Sequence, residues 1–285
     1  MISKEVLSKA KAITKLYGRG FYRASFLFPK KTREATWVLY AFVRIPDEMV
    51  DSEPDKSVAK ASLEKWMADW EKVVNGSKEQ SLDPILFAAK EVFDEHKIDI
   101  KYSYDFLSAM HQDLETTRYQ SYKELESYMY GSASVIGIMM SHIIGFKEGA
   151  LPYAKSLGEA FQLINFLRDT QDDYRTRGRI YISKEDMDRF GVSEDHIKNS
   201  INDSAWKALM SFEVARAKGL LEEGRKGIPL LNGRGQKAVY ASYLIYKKLL
   251  EEIERLDYDT FSRRVVISPL DKTMLLLKAL WNKSL

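Results

Sequence analysis

The stretch FQLINFLRDTQDDYRTRGRIYIS, residues 161–183, places polar residues at a spacing that only a helix gathers onto one surface. Gln162, Asn165, Asp169 and Asp173 are three, four and four positions apart, so on a helix they form one stripe. Around them stand Phe161, Leu163, Ile164, Phe166 and Leu167. A polar stripe on an apolar helix must face water, a partner or a ligand, because a buried charge is costly unless paired. Arg168 lies beside the stripe, and Arg175, Arg177 and Arg179 follow within a turn or two. The segment YAFVRIPDEMVDS, residues 40–52, repeats the pattern with Tyr40, Arg44, Asp47 and Asp51 at steps of four, three and four. Pro46 falls inside this second helix and predicts a kink just before the acids.

The helical period extends outward over nearly the whole chain. Ile2, Val6, Ala10 and Ile13 mark an amphipathic N-terminal helix. Pro29 closes an aromatic turn, and a helix follows until Ser52, Glu53 and Pro54 break it. A polar helix over 58–74 stops at Asn75 and Gly76, and Asp83 caps another with Pro84 at its first position. Further helices are predicted over 102–117, 121–144, 148–175, 201–225 and 234–256. Segments dense in β-branched residues are short, and Val265 to Ile267 is the clearest. With 15 Gly and 7 Pro, the chain is too poor in turn residues for a many-stranded β fold. No linker divides it, so the expectation is one all-α domain over residues 1–285.

Location is read from what the helices lack. The most apolar run, 133–145, has the length of a buried helix and falls short of the roughly 20 residues of a membrane span. The opening MISKEVLSKAKAITKLYGRG spreads its charges and has no apolar core of the signal-peptide kind. A cytoplasmic protein without a transmembrane anchor is expected, with peripheral contact to a membrane left open.

Composition narrows the chemistry. Hydrophobic residues make up 45% and charged residues 30%, which supports a folded core. Lys and Arg number 44 against 41 Asp and Glu, and a net charge of +3 argues against a nucleic-acid partner held by a broad basic face. The absence of Cys excludes disulfides, thiolate metal sites and thiol nucleophiles, and the four His form no paired ligand motif. Hard chemistry therefore falls to carboxylates, arginines, aromatics and a bound ion or cofactor. One Asp-x-x-x-Asp pair is weak, since a solvated helix face explains it better. Two such pairs on apolar helices, each with an Arg one or three positions before its first Asp, point further. Carboxylates without His or Cys suit a hard cation, most simply Mg²⁺. Arginines nearby suit phosphate oxygens. Together with aromatic walls they make the site that a diphosphate ester with an apolar tail requires. Blander roles stand beside this one: Gln162 and Asn165 as satisfied core amides, Arg44 as an ion-pair partner of Asp47. In RYQSYKELESYMYGSASVIGIMM, residues 118–140, Gly131, Ser134 and Gly137 share a face near Tyr128. These small residues either let helices approach closely or leave space for a substrate.

The chain resembles the squalene/phytoene synthase family, the head-to-head prenyl transferases. The resemblance runs through FLFP at 26–29, YAFVRIPDEMVD, YKELESYMYGSASVIG, QLINFLRDTQDD, GRIYIS, Tyr246 and RRVVIS. It implies the all-α isoprenoid synthase fold, a single helical domain around a central cavity. It implies metal ligation by Asp47 and Asp51 on one wall and Asp169 and Asp173 on the other, with Mg²⁺ as the ion and Mn²⁺ as a substitute. It implies diphosphate contacts from Arg44, Arg168, Arg179, Arg264 and Arg19, and a cavity lined by Phe21, Tyr40, Tyr128, Gln162, Asn165 and Tyr246. Where the family often carries a His-Ser-x-Ser-Phe run, this chain has Tyr17-Gly18-Arg19-Gly20-Phe21. The implied reaction joins two allylic prenyl diphosphates at C1. Two geranylgeranyl diphosphates would give phytoene through a cyclopropyl diphosphate, with no NADPH. The alternatives are a C15 enzyme making squalene, dehydrosqualene or presqualene diphosphate from farnesyl diphosphate, and a non-catalytic relative acting in assembly. The spaced Asp-x-x-x-Asp motifs disfavour head-to-tail elongation, which uses denser aspartate clusters.

Overall fold

A computed structural model describes residues 2–282, and these are helical almost throughout. The helices are α1 (Lys4–Tyr17), α2 (Arg19–Ala24), α3 (Lys30–Asp51), α4 (Lys56–Val74), α5 (Pro84–Glu95), α6 (Lys101–Glu115) and α7 (Tyr122–Met129). There follow α8 (Val135–Ile144), α9 (Leu151–Arg177), α10 (Lys184–Arg189), α11 (Glu194–Lys198), α12 (Ser204–Arg225), α13 (Gly235–Arg255) and α14 (Pro269–Trp281). Among the described residues the only β pairing is one isolated bridge, Phe146 with Leu231. Val265–Ile267 lies outside the helices and joins no strand.

Local chemistry sets the boundaries. Side-chain oxygens of Ser3, Asp55, Asp83, Ser121, Asp203 and Ser268 accept from the first-turn N–H groups of the helices they precede, satisfying donors that the helix leaves open. α3 runs through Pro46, which is buried, so the first motif stays on one helix. The segment expected as one helix over 121–144 is instead α7 and α8 joined by a π turn over Tyr130–Ser134. Four helices were not expected from the sequence pattern: α2, α10, α11 and α14.

α3 packs against α1, α4, α5, α6 and α8, and α9 lies along α12 with α8 and α13 beside it. The core between them is aromatic as well as aliphatic: Phe42 lies 4.7 Å from Trp70 and 6.0 Å from Phe93, centroid to centroid. The Trp70 indole N–H donates to Ser103 at 2.8 Å, so its polar atom is satisfied at depth. The small residues near Tyr128 serve close packing. A Cβ on Gly131 would stand 2.6 Å from the Asp105 carbonyl oxygen, and one on Gly137 2.5 Å from that of Ala154. Ser134 is fully buried and donates to Glu159 at 3.0 Å. This face holds α8 against α6 and α9; it is not depth for a ligand.

Candidate active site

α3 and α9 each present their predicted stripe, and arginines join the two. From α9, Arg177 reaches Asp173 on its own helix at 2.9 Å and Asp51 of α3 at 3.2 Å. Gly178 then takes a left-handed conformation (φ +65°) and closes α9, with its N–H on the Tyr174 carbonyl. That turn sends the chain back, and Arg179 donates to Asp51 at 2.8 Å from a side chain only 8% exposed. The same guanidinium donates to the Asp113 carbonyl oxygen at 3.0 Å and to the Tyr181 hydroxyl at 3.3 Å.

The other aspartates are held likewise. Arg44 pairs with Asp47 and with Glu48, stacks over Tyr17 at 4.9 Å, and keeps its Nε buried without an acceptor. Asp169 takes Arg168 from its own helix and a two-pronged contact from Arg264 at 2.7 and 2.8 Å. Every motif aspartate therefore faces at least one arginine. Among the described residues no three acidic or His side chains converge as a ready metal cage. The four carboxylates instead have their charge compensated by arginine side chains.

Two of these carboxylates resist ionisation. Burial, then the charge of Asp51, pushes Asp47 up to about 7. Asp47 still keeps 31% of its side chain exposed, so water moderates that push. Burial also drives Asp173 up to about 7; Asp169 and Asp51 add to it and Arg177 offsets part. Burial opposes the Asp169 charge too, but hydrogen bonds from Arg168 and Arg264 outweigh it and hold that carboxyl below its usual range. A donor set made only of carboxylate oxygens, partly buried and near one another, fits a hard divalent cation such as Mg²⁺.

Behind Arg179 lies a part of the site that the motifs did not reveal. Asp113 of α6, 6% exposed, accepts from Tyr128 at 2.5 Å and from Tyr181 at 3.1 Å. Tyr181 stacks on Phe166 at 4.0 Å and on Tyr128 at 5.7 Å. Tyr128 is thus engaged at depth behind Arg179. The signal for Asp113 was present: Phe106, Met110 and Asp113 share a helical face, which puts an acid on the buried stripe. Arg177 was legible only as the i+4 partner of Asp173, and Glu48 only as the i+4 partner of Arg44.

The predicted wall residues form two groups. Phe21 stacks on Tyr40 at 5.4 Å, and Gly18 lets the α1–α2 turn pass so close that a Cβ there would meet the Tyr40 ring at 2.7 Å. The Tyr17–Phe21 run therefore wraps the first motif helix, with Arg19 exposed beside it. Across the site Asn165 donates to the Tyr246 hydroxyl at 3.4 Å, and Tyr246 stacks on Phe161 at 4.0 Å. Gln162 is half-buried on the same helix.

Residues 14–271 match the family described as squalene/phytoene synthase. The chain belongs to that family. It is 33% identical to the 15-cis-phytoene synthase of Synechocystis sp., over 99% of this chain and 86% of that protein. It is 31% identical to the chloroplastic phytoene synthase 1 of Zea mays, over 99% of this chain and 69% of that one. A solved dehydrosqualene synthase, 28% identical, superposes with a TM-score of 0.87 over 97% of this chain and 95% of its own. The fold is the all-α one of these synthases, as expected.

The crowded acids make a pH-dependent prediction. In the metal-free fold Asp47 binds its proton more tightly than in the unfolded chain, so its contribution to stability falls as pH rises from 3.8 towards about 7. Asp47→Asn removes that loss. With chelator present, the Tm of the variant relative to the parent should be higher at pH 8 than at pH 5. An equal difference at both values would contradict the charge crowding.

Proposed function

We propose that the protein is a Mg²⁺-dependent prenyl transferase that joins two geranylgeranyl diphosphates head to head to give phytoene. The observation that carries the proposal is the meeting of the two Asp-x-x-x-Asp stripes through Arg177 and Arg179, in a chain with phytoene synthase relatives along nearly its full length. All four motif aspartates are present, which disfavours a non-catalytic assembly role.

Asp47, Asp51, Asp169 and Asp173 would hold the metal, which when bound supplies positive charge to stabilise a departing diphosphate. The arginines now on those acids are then free to turn to diphosphate oxygens. Arg44, with an unspent buried donor, and Arg264, half-exposed over Asp169, are best placed to do so. Arg179 would stay fixed by Asp113 and Tyr181 and keep its positive charge beside Asp51, where it would help to stabilise the leaving diphosphate. The C1–O bond of one substrate breaks, and the C2=C3 bond of the second attacks the allylic cation. Loss of a proton gives a cyclopropylcarbinyl diphosphate. A second C–O cleavage, rearrangement and loss of another proton give the triene, so no reductant enters. Phe21, Tyr40, Phe161 and Tyr246 offer aromatic faces that stabilise cations and keep water out.

A C15 reaction is the second reading, and the likeness to a dehydrosqualene synthase structure favours it. We place the protein in the cytoplasm with peripheral contact to a membrane. No described helix is long and apolar enough to cross a membrane. Nucleic acid is not a partner in this proposal, and the 285 residues act as one domain.

The purified protein with Mg²⁺ should convert geranylgeranyl diphosphate to a C40 triene without NADPH, and chelation should stop it. Asp51→Ala should lower kcat by about a hundredfold or more. C30 product alone from a mixture of C15 and C20 diphosphates would decide for the second reading, and no product from either would overturn both.

Asp113 makes its own prediction as a positioning residue. Asp113→Asn keeps the shape but weakens the hold on Tyr128 and Tyr181, and should lower kcat about tenfold with KM little changed. Asp113→Glu should recover part of the loss. An unchanged kcat in the folded Asn variant would leave Asp113 a packing residue.

A further inference from the structure

The stretch 118–140 begins with a residue that neither close packing nor the aspartate motifs account for. Arg118 stands in the loop between α6 and α7 and reaches the turn that closes α9. That turn matters to the site because Arg177 and Arg179, on either side of Gly178, both contact Asp51. The Gly178 carbonyl lies in the peptide plane that also carries the Arg179 nitrogen. A group that holds this oxygen therefore sets where the Arg179 backbone begins.

Arg118 is that group. Its Nη1 donates to the Gly178 carbonyl oxygen at 2.6 Å and to the Thr117 carbonyl oxygen at 2.7 Å. The Thr117 oxygen also accepts from the Ile180 N–H at 3.0 Å, so the 117–118 loop holds the chain on both sides of Arg179. The other edge of the guanidinium is taken by Glu194, in the first turn of α11, at 2.7 Å from Nη2 and 3.2 Å from Nε. This two-pronged contact fixes the guanidinium plane. The guanidinium also lies over the Tyr174 ring of α9, at 5.8 Å. A positive charge suits the C-terminal end of α9, where the last carbonyls carry partial negative charge. Arg118 keeps 33% and Glu194 49% of their side chains exposed, so as an ion pair alone they add little stability. Their four hydrogen bonds instead give the turn a fixed position.

We propose that Arg118, oriented by Glu194, is a positioning residue for the reaction: it fixes the Gly178 turn so that Arg179 stays on Asp51 while a diphosphate departs. Its part in turnover rests on the prenyl transferase reading above. The clamp on the turn does not, and the two are measured separately.

The test uses the full chain and the variants Arg118→Ala, Arg118→Lys and Glu194→Gln. Hydrogen exchange with chelator present reads the clamp without the reaction. In Arg118→Ala the Arg179 and Ile180 amides should exchange about tenfold faster, with the amides in the middle of α12 unchanged. With Mg²⁺ and geranylgeranyl diphosphate, kcat should fall about tenfold and KM should stay within about twofold, because the turn acts on the leaving group. Arg118→Lys keeps a donor for Gly178 but loses the fork onto Glu194, and should recover part of kcat. Arg179→Lys supplies the second background: there Arg118→Ala should lower kcat less than about twofold further, since the side chain it positions is gone. Unchanged exchange at Arg179 and Ile180 overturns the proposal. So does faster exchange with kcat unchanged in an active parent, or an equal loss of kcat in both backgrounds. Where Arg118→Ala does not fold, Glu194→Gln takes its place in every comparison with the same outcomes deciding. A parent that turns over no prenyl diphosphate, with faster exchange in the variant, counts against the reaction and leaves the clamp standing.

Discussion

Four carboxylates on two facing helices repel one another, and the site is organised around that repulsion. Burial first, and the neighbouring acids after it, push Asp47 and Asp173 up to about 7. Without metal the fold meets this with Arg44, Arg168, Arg177, Arg179 and Arg264, each donating to at least one of the four. In the proposed reaction this pairing is a resting arrangement, from which the acids would pass to metal and the arginines to diphosphate oxygens. A charge network of this kind contributes little net stability by itself, since desolvation offsets most of the attraction. Its value lies in keeping both halves of a binding site assembled before the ligand arrives.

The surrounding fold limits which arginines move. Arg179 comes back onto Asp51 because Gly178 closes α9 with a left-handed turn, and it is pinned from behind by Asp113 and Tyr181. Arg264 lies between α13 and α14, outside the helices, and is half-exposed where it holds Asp169. Arg179 is thus held by Asp51, Asp113 and Tyr181 together, and Arg264 by Asp169.

Both motif stripes were legible because a helical period brings residues three and four apart together, and backbone geometry alone guarantees it. Most long helices were legible for the same reason, with caps such as Asp83–Pro84 marking their starts. The helix α14 carried the start signal Ser268-Pro269, but its run of Met274 to Leu277 has no polar alternation, because part of that face is exposed and apolar. The π turn at Tyr130–Ser134 includes Gly131, which lies close against the Asp105 carbonyl, a contact that no spacing encodes. Asp51 and Arg179 lie 128 residues apart, and Asp113 and Tyr181 lie 68 apart. Such pairings are set by how helices pack, so the family resemblance implied Arg179 while nothing in the sequence reading singled out Asp113 or committed Arg177. The Gly131–Ser134–Gly137 face left two readings open, and the distances decide for packing.

The central claim is that the aspartates exchange arginine for metal when a diphosphate enters, with Arg179 alone staying on Asp51. Crystals grown with Mn²⁺ and an unreactive thiolodiphosphate analogue of the substrate test it directly through anomalous scattering. The account predicts anomalous peaks against the carboxylates of Asp47, Asp51, Asp169 and Asp173, Arg44 and Arg264 on diphosphate oxygens, and Arg179 still on Asp113 and Tyr181. Metal elsewhere, or analogue bound with every arginine–aspartate pair intact, would contradict it.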